Sequence, residues 1–307
     1  MLINNDEVIA RFCSLLNFDM AQILSCDVIG GMTNKNYLLT TSKGKFVFRI
    51  SGVMSNQIIN RNNEYVNSLL VSQLDINPNI VYFDKESGYK ITEYIKNAST
   101  LSPYSIFNYL DKISSLLVKL HTSNIKFINK WNYLEEYDLY KNIIVENWRG
   151  GVDNEYIDVE DDILNLYSRL SQQLGIRFSP CHNDLVAENF VVGINKSQEK
   201  LYLIDWEYSG LNDPMWDLAS LFEESMFPKE IEDQFLVNYH NLIVQSTVVE
   251  PLYILKEKVH IYKILQNALW YLWTLAKESK GDFFGNYKYR RLERALFLYS
   301  KYKEIYS

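Results

Sequence analysis

Cysteine is scarce in this chain of 307 residues: Cys13, Cys26 and Cys181 are the only three. Their spacing matches neither a disulfide framework nor a zinc site, which excludes the small stapled secreted scaffolds and fits a reducing compartment. Glycine (12) and proline (6) are few as well, and no internal repeat or low-complexity linker interrupts the chain. Low glycine and proline beside abundant Ile, Asn, Lys and Tyr is the compositional mark of an AT-rich coding sequence. No apolar run approaches the roughly 18 residues of a membrane span, so no membrane insertion is expected. The start, Met1 to Glu7, lacks the basic residues of a secretory signal, and the expected location is cytoplasmic. Excess positive charge is also missing. A net charge of −7 argues against a nucleic-acid partner, whose phosphate backbone is gripped by Lys and Arg. It is compatible with a small cationic substrate. The sequence sets no oligomeric state.

What remains is an ordinary globular composition, 47% apolar and 22% charged, long enough to bury a substantial core in one large domain or two lobes. Strand-like runs predominate up to about Tyr94. Val28 to Thr41 and Lys45 to Ile50 read as strands joined by a turn at Ser42 to Gly44, with further short strands at Ile80 to Phe83 and Tyr89 to Tyr94. Asn60 to Leu74 has helical spacing. After residue 98 the pattern is mainly helical. The expected division is a nucleotide-binding part over 1–94 and a catalytic and substrate-binding part over 95–307.

The exception in the helical half is chemically the richest stretch. Asp184 is followed five residues later by Asn189, and Asp205 comes after two short apolar runs separated by the polar turn Asn195 to Gln198. Those runs, Phe190 to Ile194 and Leu201 to Ile204, read as a β-hairpin that returns Asn189 and Asp205 to one end. Phosphoryl transfer needs such a set: a carboxylate facing the attacking hydroxyl, with an amide oxygen and a second carboxylate holding Mg²⁺ on the phosphates. Protein-kinase catalytic loops have the same Asp-x-x-x-x-Asn spacing. Either aspartate alone would be read as a turn cap or a strand terminus. All three groups together favour catalysis, with Asp184 as the catalytic carboxylate and Asn189 and Asp205 as metal ligands. His182, beside the loop, is expected to hold backbone with a ring nitrogen.

His182-Asn183-Asp184 with Asn189, then Ile204 to Asn212 and Asp213-Pro214-Met215-Trp216-Asp217, resembles the choline/ethanolamine kinase family, most closely its bacterial LicA-type choline kinases. The wider group includes the aminoglycoside phosphotransferases. The resemblance covers nearly the whole chain and implies an α+β, bilobal protein-kinase-like fold, with a small antiparallel-sheet N-terminal lobe and a larger, mainly helical C-terminal lobe. It also implies ATP-dependent phosphorylation of choline to phosphocholine, with Mg²⁺. Gly31, Thr33 and Asn34 then lie where a nucleotide loop belongs, since glycines let backbone amides approach phosphate oxygens. Arg49 stands where a kinase carries its phosphate-pairing cation, and Glu64 on the next helix is its natural partner. Glu93 to Lys96, including Ile95, would form the hinge that reads the adenine edge.

On the substrate side, Leu265, Leu269, Leu272 and Ala276 form one stripe on a helical wheel. Trp270 and Trp273 fall away from its centre, on the side of Lys263, Gln266 and Lys277. Large aromatics can simply widen a buried face, but two tryptophans on a polar side suit a quaternary ammonium, which is held by aromatic faces. They match the paired tryptophans of the family's choline pocket. The resemblance adds an aromatic wall from Tyr287 or Tyr289, and a bordering segment with Tyr208, Trp216 and the acidic pair Glu223 and Glu224. Glu207 serves either the metal or the pocket. Three alternatives stay open: an ethanolamine kinase, an aminoglycoside phosphotransferase, and a kinase-like module that binds choline without catalysis. The tryptophan pair argues against the aminoglycoside enzyme, which needs a broad acidic cleft, and the intact Asp184, Asn189 and Asp205 argue against the module.

Overall fold

The computed structural model describes residues 5–30, 34–52, 58–147 and 150–306. They form two compact units, one from Met1–Leu120, Asn124–Asn129 and Ala187–Gly210, the other from His121–Ser123, Lys130–Val186 and Leu211–Ser307.

The first unit is built on an antiparallel sheet. Its strands are β1 (Ile23–Gly30), β2 (Lys35–Thr41), β3 (Gly44–Ile50), β4 (Ile80–Phe83) and β5 (Lys90–Glu93), in the order β1-β2-β3-β5-β4. Alternation brings Tyr37 and Leu39 of β2, and Phe48 and Ile50 of β3, into one buried cluster. A helix, α1 (Asn5–Leu16), covers it with Val8, Phe12 and Cys13. The Phe12 ring lies 5.4 Å from Phe18, 5.6 Å from Phe46 and 6.3 Å from Phe48, and each fully buried Phe contributes about 1.5–3 kcal/mol. The sequence reading of a strand-dominated start overlooks both α1 and most of β1. The strand expected from Val28 to Thr41 is the end of β1 followed by all of β2. Asn60 caps helix α2 (Arg61–Ser72) by accepting from Asn62 N and Asn63 N.

A second, smaller sheet in this unit holds the hairpin. Strand β6 (Ser99–Thr100) pairs with β7 (Phe190–Asn195), which pairs with β8 (Gln198–Leu203). Lys196 and Ser197 have φ of 47° and 67°, the left-handed pair that a two-residue hairpin turn requires. Gly193 on β7 is forced by its neighbour: a Cβ there would lie 2.1 Å from the Ile95 side chain. Ile194 N donates to Lys96 O at 2.8 Å beside it. Helix α3 (Leu110–His121) buries Ile113, Leu117 and Leu120.

The second unit is helical. Its helices are α4 (Tyr133–Asn147), α5 (Asn154–Arg169), α6 (Pro214–Glu224), α7 (Lys229–Ile243), α8 (Leu252–Glu278) and α9 (Tyr287–Tyr306). Helix α8 packs against α4, α5, α6, α7 and α9, and every residue from Ile261 to Lys277 is buried. The side read as polar from the wheel is therefore not a solvent face. Lys263 ion-pairs with Glu223 and Glu232, and Gln266 Nε2 donates to Trp216 O at 2.7 Å. A helix surrounded by partners can carry charge on its buried side wherever each charge meets its opposite. Among the described residues no helix is long and apolar enough to cross a membrane.

Candidate active site

In the second unit, the short strand Ser179–Cys181 runs into the loop that carries Asp184. The loop backbone is held from below by one carboxylate. Asp213 caps α6 by accepting from Met215 N at 3.0 Å, with Pro214 in the first turn, and this fixes Asp217 one turn further along. Asp217 Oδ2 then accepts from His182 N at 2.9 Å and Oδ1 from Asn183 N at 2.7 Å. His121 Nε2 lies 3.0 Å from Oδ2, while His121 Nδ1 lies 2.7 Å from the Tyr239 hydroxyl. A carboxylate oxygen only accepts, so Nε2–H faces Asp217, and in the neutral ring Nδ1 then accepts from the Tyr239 hydroxyl.

Asn183 has φ of 68°, a left-handed position that asparagine tolerates better than most residues. Its side-chain oxygen accepts from Asn212 Nδ2 at 2.9 Å, and its carbonyl accepts from Trp216 Nε1 at 3.1 Å. Asp184 N donates to His182 Nδ1 at 3.3 Å, the backbone-holding use of a ring nitrogen expected for His182. Asp184 itself is half-buried. Trp216 is fully buried, 4.1 Å from Trp131 between ring centroids, and it supports the Asp184 loop through Asn183.

His121, Cys181 and Asp217 offer atoms that all lie within 4.8 Å of one another, but their hydrogen bonds make them a structural knot. The imidazole and both Asp217 oxygens are occupied, Cys181 Sγ donates to Asn212 O at 3.3 Å, and burial pushes the thiol up. Magnesium also prefers oxygen ligands alone.

In the first unit, Phe190 pairs with Leu203 and Ile204 N donates to Asn189 O at 2.9 Å. Asn189 and Asp205 thus flank the same end of the hairpin. Asp205 has φ of 65° and a side chain 32% exposed. An amide oxygen and a partly exposed carboxylate are the hard donors that Mg²⁺ takes, so these residues fit that ion.

Beside them lies a buried charge cluster. Arg49 grips Glu64 bidentately at 2.6 and 3.0 Å, and its Nη1 is 3.4 Å from Asp205 Oδ1. Arg61 Nη1 bridges Glu64 at 2.6 Å and Glu207 at 3.1 Å, Lys90 Nζ is 3.5 Å from Glu64, and Asn34 Nδ2 donates to Glu207 at 3.1 Å. Three cations thus face three carboxylates. Burial by itself would raise the Glu64 carboxyl, but Arg49, Lys90 and Arg61 outweigh it and hold it at about 2. Glu207 goes the other way, pushed up by burial and then by the charge of Asp205, with Arg49 opposing.

Gly31 and Thr33 lie outside the described residues. Glu93 is exposed on β5 opposite Phe46, and its N–H donates to Asn79 O. Ile95 packs against Gly193, and Tyr208 is half-buried. Trp270 and Trp273 stand edge to face with centroids 6.1 Å apart, 8% and 6% exposed. Phe284 tilts against Trp273 at 5.1 Å, and Lys277 Nζ sits 5.8 Å from the same ring. Tyr287 is half-buried and accepts from Arg291 at 2.6 Å, whereas Tyr289 is half exposed beneath Lys288.

Sequence reasoning assigned no role to Arg61, His121, Asp217 or Arg291. Arg61 had a signal, its i,i+3 spacing from Glu64 on one helix. His121 had none, because its partner lies 96 residues away.

A family model described as choline/ethanolamine kinase matches residues 26–297. The protein LicA of Haemophilus influenzae is 34% identical over 266 residues, covering 86% of this chain and 97% of that one. Among solved structures, the choline kinase LicA of Streptococcus pneumoniae superposes with a TM-score of 0.84 at 38% identity, over 96% of this chain and 98% of that one. A LicA solved in complex with AMP gives 0.83 at 37% identity, over 97% and 98%. These matches share a fold in which a small antiparallel-sheet lobe is joined to a larger, mainly helical one.

Proposed function

The chain belongs to the choline/ethanolamine kinase family and is a phosphotransferase acting on an alcohol, and from that premise we propose that it transfers the γ-phosphoryl group of ATP to choline. The observation that carries the chemical part is the double clamp of Asp217 on the backbone of His182 and Asn183. It holds the next residue, Asp184, in one attitude, which suits a group that must align a hydroxyl and accept its proton. Asn189 and Asp205 would hold Mg²⁺, which when bound neutralises charge on the phosphates. Arg49, oriented by Glu64, would pair with phosphate oxygens. Gly31, Thr33 and Asn34 would line the phosphates, and the backbone at Glu93 and Ile95 would read the adenine edge. The nucleotide assignment draws support from the AMP complex of the related LicA.

For the acceptor, choline offers no N–H to satisfy and is held by aromatic faces. Trp270 and Trp273, which stand edge to face on one helix, are the candidate faces. Tyr287 rather than Tyr289 would complete the wall, because Tyr289 stands half exposed. Glu207, tied to Arg61 and Asn34, serves the metal side, and Tyr208 adjoins it in sequence. Trp216 acts through the Asn183 backbone, and Glu224 through Arg291, whose guanidinium it accepts from. Ethanolamine is the second reading, because the family model covers both amino alcohols.

The test is ADP release by the purified protein with ATP and Mg²⁺ against choline, ethanolamine and a panel of aminoglycosides. The highest kcat/KM is expected for choline. A higher value for ethanolamine would favour the second reading, and turnover with none of these acceptors would sink both.

A further inference from the structure

Two adjacent carboxylates, Glu223 and Glu224, end α6, and an acidic pair near an ammonium site would ordinarily serve as its counter-charge. Here neither is free to do so. Arg294 grips Glu223 with two bonds of 2.8 Å, and Lys263 adds a third cationic contact at 3.4 Å. Arg291 Nη2 donates to both oxygens of Glu224, at 2.5 and 2.6 Å. The same guanidinium donates to Tyr287 Oη at 2.6 Å and to Asn267 Oδ1 at 3.1 Å, and it lies 4.7 Å from the Tyr287 ring centroid. Arg291 is 8% exposed, so releasing Glu224 would strand a buried cation.

This group adjoins the tryptophans of α8 through the Arg291–Asn267 bond. Asn267 is one turn before Trp270 on α8. The Tyr287 phenol, pushed up to about 12 chiefly by burial, also feels the charges of Glu224 and Asp184. A primary ammonium brought out of water needs acceptors for three N–H groups, whereas a trimethylammonium needs none. Beside Glu224 the primary ammonium would meet a carboxylate whose oxygens are already engaged by Arg291, and so no acceptor for its N–H groups.

We propose that Arg291 is a specificity-determining residue: by holding Glu224 away from the substrate, it makes the site favour a quaternary ammonium alcohol over a primary one. This rests on the choline reading above. It concerns what the site withholds, in addition to the aromatic faces that attract.

The experiment compares kcat/KM for choline and ethanolamine in the wild type, Arg291→Gln, Arg291→Lys and the double variant Arg291→Gln/Glu224→Gln, with melting temperatures measured alongside. Arg291→Gln is expected to shift the ratio about tenfold toward ethanolamine, Arg291→Lys to leave it near wild type, and the double variant to restore it. An unmoved ratio in folded Arg291→Gln, or the same shift in the double variant, overturns the assignment. Should Arg291→Gln not fold, Glu224→Gln alone decides. The proposal expects both alcohols to be affected alike, and a selective loss of ethanolamine would make Glu224 a direct ammonium ligand and overturn it. A wild type that turns over neither alcohol would sink the choline reading itself, an outcome distinct from an unmoved ratio in an active enzyme.

Discussion

Around Arg49, in the sheet-bearing unit, ionised side chains satisfy one another: Glu64 is shared by Arg49, Arg61 and Lys90, and Glu207 is held by Arg61 and Asn34. Around Asp217, in the helical unit, one carboxylate is satisfied mainly by backbone N–H groups and a single imidazole. The first arrangement is built from long side chains, and on the function proposed above its pairings would be exchanged when a phosphate or a metal ion arrives. The second fixes main-chain positions and leaves little to exchange. On that function electrostatic stabilisation would be separated from geometric alignment, and perturbing each should leave a different kinetic trace.

The sharpest break in that comparison is at the loop. Asp184→Asn keeps the shape of the side chain and removes its ability to accept a proton. Turnover should fall about a thousandfold while nucleotide affinity, measured by calorimetry with Mg-ATP, stays near wild type. Wild-type turnover in this variant would remove Asp184 from the chemistry.

A smaller effect is expected from the charge cluster, and it is a stability effect. The Glu64 carboxyl is held at about 2 in the folded chain against an ordinary 4.5. Its contribution is therefore present above about pH 4.5 and is lost as the pH falls from there toward 2. The shift corresponds to roughly 3 kcal/mol. Urea midpoints followed from pH 7 to pH 3 should decline more steeply for the wild type than for Glu64→Gln across that acid window. Parallel curves would mean that Glu64 gains no net stabilisation from its three cations.

The smallest effect concerns an aromatic face. Trp270→Ala should weaken choline binding by roughly 1–2 kcal/mol, about tenfold, with less change toward ethanolamine and none in nucleotide affinity. Trp273→Ala should show more as a lowered melting temperature, since that ring is wedged against Phe284. Equal choline kinetics in wild type and folded Trp270→Ala would return both rings to the core.

The chain reveals these features unevenly, for physical reasons. The hairpin was legible because everything that forms it is local: two apolar runs, a polar turn, and Asn189 and Asp205 flanking one end. The Arg49–Glu64 pair was legible because a strand and the following helix supply it within 15 residues. The Asp217 clamp was not, since it joins α3, α6 and α7 to a loop across 34 to 118 residues, and no local pattern encodes such a meeting. Helix α8 shows a different limit. Its period was read correctly, but a wheel says which residues share a side and nothing about what packs there. Lys263 and Gln266 therefore marked a polar side although they are buried and paired.

Gly193 carries a consequence for how accurately the ends of the hairpin can be kept level. The space beside Ile95 admits no Cβ at that point on β7. If β7 slid by one residue in either direction, Val192 or Ile194 would be driven into the same space. The missing side chain thus acts as a detent: only one alignment of the strand lets it close against the segment after β5. Asn189 stands four residues before Gly193 and Asp205 leaves the partner strand, so their relative height is indexed by this single notch. Mg²⁺, if held there as proposed, demands near-octahedral geometry, and the level of its two donors would then be set by a position that carries no functional group at all.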